Sequence, residues 1–149
     1  MNLFFDTSAL VKYFHIEAGS QQVIDLIEDS AHQIWVSDLA RVEFISALYR
    51  KLRRGDVDEA QLQEALAGFD VEWSRFNIHP LNEVVVAEAD GLLRQKAGTY
   101  RLRALDALQF ASFRLLAEQD WAFVVADELL ADTVASDSFA VVRVALPSV

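Results

Sequence analysis

The sequence predicts an α/β fold in which helices cover both faces of a parallel five-stranded sheet. Short apolar runs alternate along the chain with longer segments whose apolar residues recur at helical spacing. This alternation is typical of parallel sheets, because each strand is joined to the next by a helix that crosses one face. The 149 residues include only two prolines and five glycines, and they contain no linker or repeat. We therefore predict one domain over residues 1–149.

Five short runs rich in aromatic and β-branched residues are the predicted strands, because these residue types favour a pleated backbone. They cover residues 3–5, 34–36, 76–79, 121–126 and 139–144. Pro80 ends the third run, since proline has no amide hydrogen to donate to a neighbouring strand. The first and fourth runs are each followed directly by an aspartate.

Helical patterns fill the segments between these strands. Capping residues or a glycine mark four helix starts, at Asp6-Thr7-Ser8, Gly19-Ser20, Ser37-Asp38 and Asp58. The last three of these helices are predicted to run to about residues 29, 53 and 71. Gly55 ends the helix that starts at Ser37-Asp38. Three more helices are predicted over residues 82–97, 105–118 and 128–134, and the second of these is apolar enough to be buried.

The composition excludes several kinds of site. A hydrophobic content of 53% with 24% charged residues is typical of a soluble globular protein. Cysteine is absent, which excludes disulfides and thiolate zinc sites and is consistent with a cytoplasmic location. No apolar run approaches the roughly 18 residues that span a bilayer, so we expect no membrane association. Motifs for nucleotide-binding loops and serine nucleophile elbows are also absent.

Four acidic residues interrupt apolar runs, and these are Asp6, Glu43, Asp106 and Asp127. Burying an unpaired charge costs roughly several kcal/mol, and clustered carboxylates raise one another's pKa. A hard divalent cation such as Mg²⁺ or Mn²⁺ removes this conflict, because it takes oxygen ligands and supplies positive charge. Two of the acids follow predicted strands, and parallel sheets bind ligands at the carboxyl ends of their strands. We therefore predict a metal site formed by these acids at that edge of the sheet.

Each acid also has a structural alternative when it is taken alone. Asp6, Asp106 and Asp127 are alternatively helix N-caps, and Glu43 alternatively pairs with a neighbouring helix. The main enzymatic alternative to a metal site is an aspartate that accepts a phosphoryl group. However, the Asp-x-Asp of haloacid-dehalogenase-like phosphatases is replaced by Asp6-Thr7-Ser8, and the lysine that receiver domains carry on the fifth strand is missing. The metal-site hypothesis depends on all four acids occurring together.

Two basic clusters stand out against a net charge of −10, which on average argues against a nucleic-acid partner. The first is Arg50-Lys51-Leu52-Arg53-Arg54, and the second comprises four basic residues between residues 91 and 105 with no acidic one. One interpretation is that both are solvated helix ends. The other is that both are phosphate-contacting patches beside the acidic centre.

Four segments resemble the motifs of PIN-domain proteins of the VapC toxin type. In chain order they are Asp6-Thr7-Ser8-Ala9-Leu10-Val11-Lys12 with Glu17-Ala18-Gly19-Ser20, Val42-Glu43-Phe44, Asp106-Ala107-Leu108-Gln109-Phe110-Ala111, and Phe123-Val124-Val125-Ala126-Asp127-Glu128-Leu129-Leu130. The resemblance runs over essentially the whole chain in the family's order. One position departs from it, because Val125 stands where the family usually has Ser or Thr, whose hydroxyl helps to orient the acidic cluster.

The resemblance implies a PIN-like three-layer α/β/α sandwich and a homodimer. It also implies a Mg²⁺- or Mn²⁺-dependent endoribonuclease that arrests translation and is neutralised by a cognate VapB-like antitoxin. The implied catalytic and metal-binding residues are Asp6, Glu43, Asp106 and Asp127. With RNA as the substrate, the candidate RNA-binding residues are Arg50, Arg54, Arg101 and Arg103. Two alternatives stay open, namely a PIN-fold nuclease of RNA maturation or turnover and a catalytically weak PIN module that binds a protein.

Overall fold

The computed structural model describes residues 1–145, which form five strands and seven helices. The strands are β1 (Asn2–Phe5), β2 (Gln33–Ser37), β3 (Asn77–His79), β4 (Trp121–Val125) and β5 (Ala140–Arg143). The helices are α1 (Thr7–Phe14), α2 (Ser20–Glu28), α3 (Leu39–Arg54), α4 (Glu59–Trp73), α5 (Glu83–Lys96), α6 (Ala104–Leu116) and α7 (Glu128–Ala135). Every predicted strand and helix is present, and the differences lie at element ends. No helix in this part of the chain is both long and apolar enough to cross a membrane.

The five strands form one parallel sheet in the order β3-β2-β1-β4-β5, which confirms the predicted fold class. The chain first builds outward from β1 through β2 to β3 and then returns to the other side of β1 to add β4 and β5. The strand order therefore reverses between β1 and β4. In open parallel sheets the crevice at such a reversal, outside the carboxyl ends of the strands, is the usual place for a ligand.

Two apolar cores lie on opposite faces of the sheet, so the molecule has three layers. Alternate residues of β1 point to opposite faces, with Leu3 and Phe5 in one core and Phe4 in the other. Helices α1 to α4 cover the first core, where the rings of Phe44 and Phe69 stack with centroids 4.1 Å apart. Helices α5 to α7 cover the second core. The cores fix the helices that carry the acidic residues.

Candidate active site

The four predicted acids line one cavity of about 740 Å³ at the carboxyl ends of the strands. Asp6 directly follows β1, and Asp127 comes two residues after the end of β4. Glu43 lies on α3, and Asp106 lies in the first turn of α6. Residues far apart in the sequence therefore share one cavity at the reversal of strand order.

Asp6 is both a helix cap and a buried acid. Its Oδ2 accepts hydrogen bonds from the Ser8 amide at 3.1 Å and the Ser8 hydroxyl at 2.5 Å, so the predicted N-cap is present at the start of α1. The residue is only 7% exposed. Burial raises the pKa of Asp6 to about 7; the bonds from Ser8 oppose this rise, and the charges of Glu43 and Asp106 add to it. A nearby cation would relieve this destabilised carboxylate.

Ser8 also ties the end of β4 to the acidic cluster. Its Oγ accepts a hydrogen bond at 3.0 Å from the backbone amide of Ala126, next to Asp127. Val125, at the position where the family that the sequence resembles usually has Ser or Thr, is buried with 1% exposure. The hydroxyl that links Asp6 to the segment before Asp127 therefore comes from α1 rather than from β4.

Glu43 is held by polar side chains from two other helices. Its Oε1 accepts hydrogen bonds from Thr7 Oγ1 at 3.0 Å and from Gln109 Nε2 at 2.7 Å. Burial raises the pKa of Glu43, the bonds from Gln109 and Thr7 oppose that change, and Asp106 adds to it. The predicted alternative of contact with a neighbouring helix is thus also present, but through neutral donors.

Arg103 contacts the other two acids. Its Nε donates to Asp106 Oδ2 at 3.1 Å, and its Nη2 lies 3.5 Å from Asp127 Oδ2. Asp127 Oδ1 accepts from the Leu130 amide at 3.1 Å, so the predicted cap of α7 is present. The cap prediction for Asp106 was wrong, because α6 begins at Ala104 and Arg103 occupies the cap position. Since the Arg103 side chain is 76% exposed, its ion pairs are readily exchanged for solvent or another charge.

The carboxylate oxygens of the cavity suit a hard divalent cation, but the side chains are not already arranged to coordinate one. Among residues 1–145, no three Asp, Glu or His side chains already form a cluster able to hold a metal ion. The four acids nevertheless offer only oxygen ligands, and burial raises the pKa of Asp6, with smaller contributions from the charges of Glu43 and Asp106. Arg103 supplies a positive charge in direct contact with Asp106 and Asp127, and its charge also acts on Glu43 and Asp6 without an ion pair. Binding would therefore require small movements of these side chains.

The predicted RNA-binding arginines divide into two groups. Arg50 and Arg103 line the acidic cavity, and Arg101 and Arg103 line an adjoining cavity of about 540 Å³. Arg54 is the exposed last residue of α3 and is absent from the lining of both cavities. The structure therefore places three of the four arginines beside the acids.

Sequence reasoning missed the polar residues that support the acids, namely Thr7, Ser8 and Gln109. Gln109 carried the clearest signal, because it is a polar residue in an apolar helix and is only 1% exposed. A buried amide requires partners, and partners in such a position point to a polar site nearby. Thr7 and Ser8 were recognised as part of a helix start and of the first family motif, without a contact to the acids being predicted for either.

Comparison with solved structures finds the same fold in several proteins, one of which is described as a toxin. The VapC20 toxin of Mycobacterium tuberculosis, described as cleaving the sarcin-ricin loop, is 19% identical, with a TM-score of 0.67 over 95% of this chain and 98% of that one. VapBC2 of Rickettsia felis, bound to a DNA fragment from its promoter, is 14% identical, with a TM-score of 0.66 over 97% and 99%. FitAcB of Neisseria gonorrhoeae is 13% identical, with a TM-score of 0.68 over 95% and 96%.

No curated protein sequence matches the chain significantly. The model of the PIN domain family, in contrast, matches residues 3–135. This range includes every residue that lines the acidic cavity, from Asp6 near its start to Asp127 near its end. The match covers most of the chain and agrees with the strand order and with the shared fold of the solved structures. The chain belongs to the PIN-domain family.

Proposed function

We propose that this protein is a metal-dependent endoribonuclease that acts in the cytoplasm as the toxin of a type II toxin-antitoxin pair. The observation that carries the proposal is the convergence of Asp6, Glu43, Asp106 and Asp127 on one cavity with Arg50 and Arg103 at its walls. Oxygen ligands suit Mg²⁺ or Mn²⁺, and arginines suit phosphate oxygens. Acids and arginines together form a site suited to a phosphodiester.

In the proposed reaction, side chains bind and orient the reactants, and none acts as a covalent nucleophile. The four acids would hold one or two divalent cations, which when bound would polarise phosphoryl oxygens and lower the pKa of an attacking water. Ser8 fixes Asp6, while Thr7 and Gln109 fix Glu43. Arg50 and Arg103 draw the RNA backbone toward the acids through charge-assisted hydrogen bonds.

The toxin role is supported by the solved structures of similar fold. One of them is described as a toxin and is matched over 98% of its length, and another is a toxin-antitoxin complex from Klebsiella pneumoniae matched over 86% of its length. We therefore propose a cognate VapB-like antitoxin as the protein partner and RNA as the substrate. A PIN-fold nuclease of RNA maturation would have the same chemistry but no inhibitory partner and no effect on growth.

We also propose that the protein is a homodimer, as the family resemblance implies. Ile78, Leu81 and Val84, on or close to the edge strand β3, are apolar and at least 37% exposed. Exposed apolar side chains grouped in this way favour contact with another protein surface. Light scattering should give twice the chain mass of 16.7 kDa, and Val84→Lys should shift the mass toward the monomer.

The nuclease proposal is tested with purified protein and end-labelled RNA. We expect cleavage with Mg²⁺ or Mn²⁺, none with a chelator, and none for Asp6→Asn or Asp106→Asn. Asp56→Asn is the matched control, because Asp56 is exposed and lies outside the cavity. Cleavage that persists in a chelator would contradict the metal dependence, and equal cleavage by all variants would contradict the site.

The toxin role needs a separate experiment in cells. Brief expression should stop growth and create new RNA ends, and both effects should vanish with Asp106→Asn. Mapping those ends identifies the target RNA. RNA cleavage without growth arrest would favour the maturation nuclease instead.

A further inference from the structure

We propose that Gln109 is a positioning residue that holds Glu43 ready to bind the metal ion, an inference that rests on the proposed metal-dependent function. Gln109 touches neither the reacting phosphate nor the water in this proposal. It acts through Glu43, whose carboxylate it fixes from the buried side of the cavity.

Gln109, Thr7 and Glu43 form a closed triangle of hydrogen bonds. Gln109 Nε2 donates to Thr7 Oγ1 at 3.1 Å and to Glu43 Oε1 at 2.7 Å, so both of its amide hydrogens are used. Thr7 Oγ1 in turn donates to the same Glu43 oxygen at 3.0 Å. Since the Thr7 hydroxyl oxygen accepts from Gln109, its own hydrogen is directed at Glu43. Bonds joined in this way reinforce one another.

The orientation of the Gln109 amide follows from the groups that surround it. Glu43 carries two acceptor oxygens when it is ionised, so only the NH₂ end of the amide can bond to it. The reversed amide would direct a carbonyl oxygen at a carboxylate. The amide therefore favours an ionised Glu43 and fixes its Oε1, and within residues 1–145 no hydrogen bond is made to Oε2. Oε2 is the oxygen left to bind a cation.

Core packing does not explain a glutamine at this position. The residue is 1% exposed, and its Oε1 has no hydrogen-bond partner in the described part of the chain. A buried acceptor without a partner is destabilising, whereas an apolar residue of the same size avoids that cost. The benefit of Gln109 must therefore come from its two amide hydrogens. One is donated to Glu43 and the other to Thr7, which itself donates to Glu43.

The test measures metal affinity rather than activity alone. Gln109→Met keeps the length of the side chain and removes both donors. We expect the dissociation constant for Mn²⁺, measured by electron paramagnetic resonance on the metal-free protein, to rise about tenfold, because changes to the partners of metal ligands typically cost 10- to 100-fold. The Mn²⁺ concentration for half-maximal RNA cleavage should rise by the same factor, and kcat at saturating Mn²⁺ should change less.

Ser112→Ala is the matched control. Ser112 lies one turn further along α6, is fully buried and also has an unpartnered oxygen, but unlike Gln109 its side chain makes no hydrogen bond to Glu43 or Thr7. This variant should bind Mn²⁺ like the parent. Thr7→Val should weaken Mn²⁺ binding in the same direction as Gln109→Met, and Thr7→Ser should restore it. The Thr7 pair keeps the proposal testable if Gln109→Met does not fold.

Two results would overturn the proposal, and they are distinguishable. Unchanged Mn²⁺ affinity in Gln109→Met, in a parent that binds Mn²⁺, would overturn the role of Gln109 and leave the proposed function intact. A parent that binds no Mn²⁺ would overturn the metal-dependent function itself, and the role of Gln109 with it.

Discussion

Asp6, the first residue after β1, is both the N-cap of α1 and a buried acid. The two bonds from Ser8 stabilise the start of α1, and removing such a cap costs roughly 0.5–2 kcal/mol. The burial that raises the pKa of Asp6 to about 7 acts in the opposite direction once the carboxyl ionises. The effect of a substitution at this position therefore depends on pH and on metal.

The first prediction concerns Asp6→Asn in the metal-free protein. Between its ordinary pKa of 3.8 and its folded value of about 7, the folded state keeps a proton that the unfolded state has lost. The free energy of unfolding therefore falls as pH rises through this window, by roughly 4 kcal/mol in the limit of about 1.4 kcal/mol per pKa unit. In Asp6→Asn this pH-dependent loss of stability should be absent, because Asn does not ionise, while its side-chain oxygen can still accept the cap hydrogen bonds from Ser8.

Urea unfolding at pH 5 and pH 8 with a chelator measures the effect. The difference between the two pH values should be smaller for Asp6→Asn than for the parent, and the variant should be at least as stable as the parent at pH 8. Asp6→Ala, which also loses the cap, should be less stable than Asp6→Asn at both. A marked loss of stability in Asp6→Asn at pH 8 would mean that the carboxylate contributes mainly as a cap.

The second prediction concerns Arg103, whose guanidinium contacts Asp106 and Asp127 where a cation is proposed to bind. Arg103→Gln removes this internal charge, so Mn²⁺ should bind several-fold more tightly and RNA more weakly. Calorimetry gives the first quantity and filter binding the second. Arg94→Gln is the control, since Arg94 is 81% exposed and pairs with Asp90 within α5. Unchanged Mn²⁺ affinity would mean that Arg103 does not compete with the metal.

The acids could be predicted from the sequence, but their supporting contacts could not. A charge inside an apolar run is anomalous in the sequence itself, and this marked Asp6 and Asp106 before any contact was known. Gln109 and Thr7 are 102 positions apart, and nothing local in either segment indicates that they meet. Arg103 was predicted to contact phosphate beside the acidic centre, which stays a prediction, and its ion pairs with Asp106 and Asp127 had no signal in the sequence. Such pairings depend on how α1, α3 and α6 pack together.

At the scale of single elements, the connection from α1 to α2 depends on a glycine with two constraints. Gly19 has a φ of +89°, and a Cβ at this position would lie 2.7 Å from Val144 Cγ1 and 2.9 Å from the Ala145 carbonyl oxygen. Gly55, at the end of α3, has a similar φ of +80° but open space around it. Substitutions at the two glycines can therefore separate the cost of backbone strain, which both share, from the cost of steric overlap, which only Gly19 has.

The third prediction compares Gly19→Ala with Gly55→Ala. Both place an alanine in the left-handed region, which costs roughly 1 kcal/mol. Gly19→Ala must also displace the segment after β5, and overpacking of this kind typically adds about 1–3 kcal/mol. Thermal unfolding should therefore show a clearly larger loss for Gly19→Ala. Equal losses would mean that the segment at Val144 and Ala145 moves aside freely.

The fourth prediction separates Arg50 from Arg54, two of the three arginines near the end of α3. Arg50 lines the acidic cavity, but Arg54 lies four residues further along the helix and lines neither cavity. Arg50→Gln should lower the magnitude of the salt slope of RNA binding by roughly 0.7, the amount for one phosphate contact on a single strand. Arg54→Gln should leave the slope unchanged. The opposite pattern would place the RNA path along the outer end of α3.

At the scale of the whole molecule, the alternating pattern predicted the elements and the parallel sheet, but it could not predict the strand order. Nothing in the sequence states that β4 joins the sheet beside β1, where Phe5 pairs with Val124. That pairing brings Asp127 to the cavity that contains Asp6. The pattern of apolar residues determines which faces are buried, whereas the neighbours of each strand depend on the packing of both cores at once.

The last prediction concerns inhibition by the proposed antitoxin. Arg103 already forms ion pairs with Asp106 and Asp127, so these carboxylates accept a guanidinium where a metal is proposed to bind. We therefore expect a partner to silence the enzyme by placing an Arg or Lys against Asp6, Asp106 or Asp127. Because the partner's cation and the metal then compete for the same carboxylates, linkage requires each to weaken the binding of the other.

Titrating the complex with Mn²⁺ while following its dissociation tests this expectation. Once Mn²⁺ exceeds its own dissociation constant, each tenfold increase should weaken the partner's affinity by up to about tenfold, the limit for full competition at one site. A partner whose inserted basic residue is replaced by Ala should bind more weakly and should lose this dependence on Mn²⁺. Arg103→Gln should strengthen the parent partner's binding, because it removes the internal charge that occupies two of the acids. If affinity does not depend on metal for either partner, the antitoxin acts through another surface, and the acidic cavity is not where inhibition occurs.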